Sequence, residues 1–334
     1  MNTKTSAKLN IAIIGCGNWS QNIIRNIQKF DDIVISYAID SDIKRLQKTQ
    51  KLLPYNTQLF TDYNLALADE KVNAILIITP ISTHYQIAKD ALKAKKHVYV
   101  QKPCTETSDQ AVELNKLAQE NKVKLFTAFT YCYHNVIKKL FNLKDELGEF
   151  YYYDSTRINL GLIQRDVNVL YDLFCHDAAI LYYLTEEMPE YISATGQSHN
   201  SNNLIDVANI SLGYKNKFVS HCHENWISPI KNRTIILAGE KKMATFDDCS
   251  NHPLKIYDTG FKPNGGLFDY RVGDVLIPKI EGSEAIFNEL KAFFDCIIYD
   301  FQPLTNGDFS VNILKMIEAA NKSMVSCGEP VSLA

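Results

Sequence analysis

LNIAIIGCGNWSQNIIRNIQKF, residues 9–30, carries the reading from which the fold follows. LNIAII is an apolar run of strand length, and it stops at Gly15-Cys16-Gly17. Beyond the glycines, Ile23, Ile24, Ile27 and Phe30 recur at helical spacing. Strand, glycine turn and helix in that order open a βαβ unit, and the chain repeats the alternation outward. A second strand, IVISYAID, ends at Asp40, and a third, NAILIIT, ends at Thr79-Pro80 with a helix from Ser82 to Lys95. HVYV leads into Gln101-Lys102-Pro103, and a helix at 108–121 and the strand KLFTAF at 124–129 complete the pattern. Strands alternating with helices of this length imply right-handed crossovers and a parallel sheet covered on both faces.

Such sheets bind ligands at the carboxyl ends of their strands. Gly15-Cys16-Gly17, Asp40, Thr79-Pro80 and Gln101-Lys102-Pro103 all fall there. Gly15 permits the tight turn, and Gly17 lets the backbone approach a pyrophosphate at the helix amino terminus. Ser20, still small, stands where a third glycine is usual. Asp40 ends the second strand where a carboxylate would accept hydrogen bonds from the adenosine ribose. A carboxylate there repels a 2′-phosphate, and Ser41-Asp42 supplies no arginine, so NAD rather than NADP is expected. Alternatively Asp40 only caps a turn.

The bulk composition narrows the partners. The 334 residues suffice for two domains; 46% are hydrophobic, 22% are charged, and the net charge is −3. No basic surface for nucleic acid is indicated, and the longest apolar runs, such as AILII at 74–78, are far short of a membrane span. The opening MNTKTSAKLN is polar, without the apolar stretch of a signal peptide. Eight cysteines with no CxxC pair read as reduced thiols of a cytoplasmic protein.

From about residue 130 the pattern changes. A helix near 134–147 precedes FYYYDSTRIN, whose aromatic and β-branched residues suit a strand. YISATG, VANISLGY, KFVSHCHENW, RTIILAGE and KMATFDD follow with turn residues between them, which predicts an antiparallel sheet, and SEAIFNELKAFFDCIIYD and FSVNILKMIEAANKSM read as closing helices. Between these strands, VLYDLFCHDAAI at 169–180 reads as a helix largely buried through Val169, Leu170, Leu173, Phe174, Ala178 and Ile180. Asp172 and His176, four positions apart, share one face of it, so they either satisfy each other in the core or look into a pocket. Asp177 is read as a helix-surface residue or one that backs its neighbours.

Arg157 and Asn159 alternate on one strand before the loop GLIQRDVN, which ends in Asn168, and are expected with it to contact substrate. Lys231 and Arg233 in SPIKNR suit a diphosphate if they point inward, or form a solvated charged turn. His221 and His223 fall on one strand face and Cys222 and Glu224 on the other, with no second cluster to complete a tetrahedral set, so no metal is expected.

GCGNWSQN at 15–22, TPISTH at 79–84, QKP at 101–103 and DLFCHD at 172–177 together resemble the Gfo/Idh/MocA oxidoreductases, over nearly the whole chain. The resemblance implies an α/β fold: an amino-terminal Rossmann NAD-binding domain at 1–129, then an α+β domain at 130–334 with a large, mostly antiparallel sheet that carries substrate and pairs subunits. It implies cofactor contacts at Gly15, Gly17, Asn18, Trp19, Asp40, Ser41, Thr79, Pro80, His84, Gln101, Lys102 and Pro103. Lys102, Asp172 and His176 match the family's catalytic lysine, carboxylate and histidine; Asp172 and His176 also belong to the expected substrate contacts. The family's lysine motif is usually Glu-Lys-Pro, and Gln101 here removes a negative charge beside Lys102. RINLG, DVNVLYDL, NWISPIKNR and YRVGDVLIP resemble the branch that includes enzymes oxidising C3 of UDP-N-acetylglucosamine. A 3-ketosugar reductase, a polyol dehydrogenase of the inositol type and an NAD-binding regulator are the alternatives. A homodimer or homotetramer is implied.

Overall fold

The opening apolar run forms β1 (Leu9–Ile14) in the computed structural model, which describes residues 8–161, 166–201 and 203–333. Most of the polar opening stretch, through residue 7, and positions 162–165 of the loop GLIQRDVN lie outside the described residues. Ile11, Ala12 and Ile13 are fully buried, as a central strand covered on both faces requires. α1 (Asn18–Ile27) buries Ile23, Ile24 and Ile27. Then come β2 (Ile33–Ile39), α2 (Ile43–Gln50), β3 (Gln58–Phe60), α3 (Asn64–Ala68), β4 (Ala74–Ile77), α4 (Ile81–Lys93), β5 (His97–Gln101), α5 (Ser108–Glu120) and β6 (Leu125–Ala128). The strand order is β3-β2-β1-β4-β5-β6 and every pair is parallel. The order reverses between β1 and β4, the switch point where such sheets take a ligand.

α6 (Asn135–Asn142) and α7 (Lys144–Leu147) lead into β7 (Phe150–Leu160). The helix predicted over 169–180 follows: its first turn, Leu170–Phe174, is π-helical and continues into α8 (Cys175–Thr185). Val169, Leu170, Leu173, Phe174, Ala178 and Ile180 are all buried. β8 (Tyr191–Gln197), β9 (Val207–Gly213), β10 (Val219–Asn225), β11 (Ile227–Gly239), β12 (Met243–Asp247), β13 (Leu254–Asn264) and β14 (Leu267–Leu276) follow. With β15 (Val331–Ser332) and β7 they form one sheet in the order β14-β13-β12-β11-β7-β10-β9-β8-β15. Only β7 and β10 pair in parallel.

α9 (Ala285–Ile298) and α10 (Gly307–Val325) precede β15. The chain divides into two compact units, Met1–Thr130 with Glu284–Leu314 and Tyr131–Ser283 with Lys315–Ala334. This departs from the single cut after residue 129, because α9 packs in the first unit. Phe287 stacks on Phe30 at 4.6 Å, and Phe293 meets Tyr99 and Phe126 at 5.6 and 5.4 Å. Among the described residues no helix is long and apolar enough to cross a membrane.

Candidate functional site

In the first unit the loops after β1, β2, β4 and β5 carry the predicted cofactor residues. Gly15 sits at φ +99, and a Cβ there would lie 2.4 Å from the Ile78 carbonyl oxygen, so only glycine fits. At Gly17 a Cβ would meet nothing within 4 Å, so the turn opens onto free space in front of α1. No side chain caps α1, whose first-turn N–H groups remain for an anion. Ser20 turns inward and donates to the Gly17 carbonyl at 2.7 Å, which is how it replaces a glycine without obstructing the turn. Asn18 and Trp19 are exposed beside it, and Ser41 is exposed after β2.

Asp40 caps the turn, the second of the two readings the sequence left open, and does so without using up its oxygens. Its Oδ2 accepts the Cys16 N–H at 2.8 Å and its Oδ1 the Asp42 N–H at 2.9 Å, which ties the glycine turn to the end of β2. Each oxygen keeps a second lone pair for a ribose hydroxyl. These residues therefore fit a dinucleotide: an uncapped helix terminus, an open glycine turn and a fixed carboxylate.

His84 departs from the expectation of a cofactor contact. It is buried, with Nδ1 3.0 Å from the Pro103 carbonyl oxygen and Nε2 2.8 Å from that of Thr79. Its ring thus clamps the two turns after β4 and β5, because one helical turn into α4 a side chain points back at both. Pro80 is the N-cap of α4, and Thr79 accepts the Thr83 hydroxyl. Gln101 and Lys102 are half-buried and Pro103 is buried. Gln101 Nε2 donates to the Tyr99 hydroxyl at 3.2 Å, and that hydroxyl donates to Glu289 Oε1 at 2.6 Å.

In the second unit the structure answers why a core helix carries Asp172, His176 and Asp177. Asp172 and His176 are half-buried, and Asp172 Oδ2 accepts the Trp226 indole N–H at 3.0 Å. The Tyr131 ring meets the His176 imidazole edge-on at 5.1 Å. Asp177 is fully buried, which excludes the helix-surface reading. It accepts the Tyr153 hydroxyl at 2.6 Å and Arg157 Nε at 2.8 Å. The Arg157 guanidinium also lies over the Tyr131 ring, 4.4 Å from its centre.

This layer is charged, and its charges can be assigned. Burial works against the Arg157 cation, but the Asp177 carboxylate overrides it and holds the guanidinium well above its ordinary value. Burial, then Asp177, pushes Glu224 far above the usual carboxylate range against the pull of Arg157. Arg157 Nε pairs with Asp177 alone, whereas neither oxygen of the equally buried Glu224 has a hydrogen-bond partner, and Glu224 holds its proton. Burial, then Asp177, likewise keeps the Tyr153 hydroxyl and the Cys222 thiol protonated.

Several expected substrate contacts are corrected by this geometry. Arg157 is 4% exposed, because the alternation of β7 turns Tyr153, Ser155 and Arg157 to the helix-covered face. It is a structural cation, not a substrate ligand. Asn168 caps the helix instead: its Oδ1 accepts the Leu170 and Tyr171 N–H groups and its Nδ2 donates to Asn321. Arg233 pairs with Asp248 at 3.3 Å, while Lys231 is exposed in a strand and not in a turn. Asn159 is half-buried near the end of β7. Cys222 and Glu224 do point inward, while His221 and His223 face the other side against Ser211 and Asn209. Among the described residues no group of three His, Cys, Asp or Glu could hold a metal ion.

Sequence reading missed Tyr131, Tyr153 and Trp226. For Tyr153, a phenol on an inward position of β7 beside a charged helix was the available signal, since such groups take a partner when buried; Tyr131 and Trp226 lie off the strands.

Residues 9–129 match the family model described as the oxidoreductase family, NAD-binding Rossmann fold, and residues 160–245 match the GFO/IDH/MocA C-terminal domain; the two span more than half of the chain. The chain is 25% identical over 228 residues to a UDP-N-acetylglucosamine 3-dehydrogenase of Acidithiobacillus ferrooxidans, covering 68% of this chain and 71% of that protein. It is 26% identical over 200 residues to a myo-inositol 2-dehydrogenase of Thermotoga maritima, covering 56% and 58%. The matches span less than two thirds of the length of the first curated relatives. A crystal structure of GenD2 from gentamicin A biosynthesis, in complex with NAD, superposes with a TM-score of 0.84 at 18% identity, covering 100% of this chain and 99% of that one. That likeness is one of fold.

Proposed function

The chain belongs to the Gfo/Idh/MocA family of NAD-binding oxidoreductases, and from that premise we propose that it moves a hydride between a nucleotide-linked sugar and NAD, at C3 of UDP-N-acetylglucosamine or a related UDP-sugar. The observation that carries the proposal is the pair Asp172 and His176, half-buried on one helix face above a polar layer that fixes the helix. The similarity to a UDP-N-acetylglucosamine 3-dehydrogenase supports the substrate class.

NAD, when bound, accepts the hydride. His176 takes the hydroxyl proton of the carbinol, which imidazole can do at neutral pH. The Lys102 ammonium stabilises the developing alkoxide. Asp172, held by Trp226, orients the imidazole or takes a substrate hydroxyl. Gly15, Gly17, Asp40, Thr79, Gln101 and Lys102 contact the dinucleotide, with Asn18, Trp19 and Ser41 at its edge; His84, Pro80 and Pro103 shape the turns. Lys231 is exposed and remains free to meet a diphosphate.

A second copy of the chain is the proposed cover for the exposed apolar side chains of the β13–β14 hairpin, Phe261, Tyr270, Val272 and Val275. Sedimentation of the purified protein tests that.

Reduced nicotinamide, followed by its near-ultraviolet absorbance with UDP-N-acetylglucosamine and with myo-inositol, tests the function. The proposal expects turnover with the UDP-sugar that is lost in His176→Ala and Lys102→Ala, with NAD binding kept in His176→Ala. Turnover with the polyol alone would replace the substrate. Turnover unaffected by both substitutions would overturn the residue roles.

A further inference from the structure

Outside the residues given roles above, the first unit holds a buried acid placed two hydrogen bonds from the turn that carries Lys102. Glu289, on α9, is fully buried. Its Oε1 accepts from the Tyr99 hydroxyl at 2.6 Å, and the Tyr99 oxygen accepts from Gln101 Nε2 at 3.2 Å. Tyr99 is fully buried and its ring packs against Phe126 and Phe293, at 5.5 and 5.6 Å, so only its hydroxyl proton is free to reorient.

We infer that Glu289 is a positioning residue that decides, through Tyr99, which end of the Gln101 amide is presented beside Lys102.

The polarity of the chain of donors forces this. When Glu289 is ionised, Tyr99 donates to it and accepts from Gln101 Nε2, which leaves Gln101 Oε1 as an outward acceptor. When Glu289 takes a proton, Oε2 is a poor place for it, because that oxygen is buried without a hydrogen bond and the Thr130 hydroxyl acts on Glu289 as a donor and not as an acceptor. On Oε1 the proton meets the Tyr99 oxygen. Tyr99 must then turn its own proton to Gln101, whose amide flips to accept it and presents its NH2 outward.

The groups acting on Glu289 are few. Burial pushes it up to about 7, against the hydroxyls of Thr130, in the turn after β6, and of Tyr99, on β5. Among the described residues no charged side chain adds to these, so its titration falls in the neutral range.

The consequence for the cofactor rests on placing the Gln101-Lys102-Pro103 turn at the dinucleotide. Lys102 only donates hydrogen bonds. A ligand hydroxyl beside it needs an acceptor for its own proton, and Gln101 offers one only while Glu289 is ionised. Losing one neutral hydrogen bond weakens binding roughly five-fold.

Two measurements on the full chain test this. The side-chain amide resonance of Gln101, assigned by its loss in Gln101→Glu, should titrate with Glu289 and stop titrating in both Glu289→Gln and Tyr99→Phe. The NAD dissociation constant should rise roughly five-fold as pH falls through the same titration, and become flat in both variants. Tyr99→Phe keeps the ring packing, so it remains informative where Glu289→Gln folds poorly. A wild-type Gln101 resonance that does not titrate, or a titration that survives Tyr99→Phe, overturns the inference. A titrating amide with an unchanging dissociation constant keeps the relay and refutes the placement of this turn at NAD.

Discussion

Removing the Asp177 carboxylate tests the reading of the buried layer beneath α8. Asp177→Ala leaves the Arg157 guanidinium, 4% exposed, without its counter-ion. Breaking a buried pair from one side costs about 3–5 kcal/mol. The Tyr153 hydroxyl, also fully buried, loses its acceptor, which adds about 1–3 kcal/mol. Glu224 limits the damage. It faces the same cation on the neighbouring strand, and with Asp177 gone what keeps it protonated weakens to burial and the smaller influence of Asp172. It should ionise and replace the lost charge, bringing the net cost to about 3 kcal/mol. Glu224→Gln alone should cost less than about 1 kcal/mol, because the amide imitates a neutral acid. The double variant should lose about 2 kcal/mol more than the sum, since neither acid then remains. Urea unfolding followed by Trp226 fluorescence in a Trp19→Phe background reads this unit, Trp226 being buried and the only other tryptophan. Glu224→Gln as costly as Asp177→Ala would refute the assignment of charges, as would additive losses.

Three further outcomes follow from the geometry. Gly15→Ala, strained at φ +99 and pressed onto the Ile78 carbonyl, should lose about 1–3 kcal/mol from the backbone conformation alone, whereas Gly17→Ala should fold normally and bind NAD more weakly; thermal unfolding and calorimetric titration with NAD separate the two. Trp226→Phe withdraws the donor from Asp172, worth about 1.5–3 kcal/mol for a charged acceptor, so both melting temperature and turnover should fall. Glu289 makes stability depend on pH. Its folded form keeps a proton up to about 7 that the unfolded chain releases near 4.5, so its contribution is full below the lower value and declines as pH rises to the higher one. Glu289→Gln should remove that decline from a series of denaturant melts; an unchanged slope would contradict the protonated, buried carboxyl.

Much of the first unit was legible because its information is local. The run Leu9–Ile14, the Gly15-Cys16-Gly17 turn and the spacing of Ile23, Ile24 and Ile27 each specify structure within a few residues, and the parallel order follows from crossover handedness. α2 escaped notice because it is short and polar, and β3 because it is only three residues long. β13 and β14 escaped because Gly260, Pro263, Gly265, Gly266 and Gly273 break up an otherwise strand-like run. In the candidate site, the placing of Asp172 and His176 four positions apart on one helix was visible as helical spacing. The role of Arg157 was not: its partner lies twenty positions away on a helix, and only the packing of that helix on β7 reveals that it faces inward. Asn168 misled for a similar reason. A loop asparagine before a helix suits a cap or a ligand equally, and the choice rests on the N–H groups of Leu170 and Tyr171. Glu289 was out of reach entirely, since α9 joins β5 only in the folded chain.

The central claim, hydride transfer from a sugar carbon to NAD, is tested most directly by isotope. UDP-N-acetylglucosamine deuterated at C3 is mixed with the protein and NAD, and the nicotinamide is examined by mass spectrometry. The account predicts reduced nicotinamide carrying the deuterium, absent in His176→Ala. Reduced nicotinamide without deuterium would contradict the choice of carbon, and oxidised nicotinamide alone, in the presence of a 2-oxo acid or 3-keto acceptor to recycle a held cofactor, with the deuterium still on the sugar, would contradict the reaction.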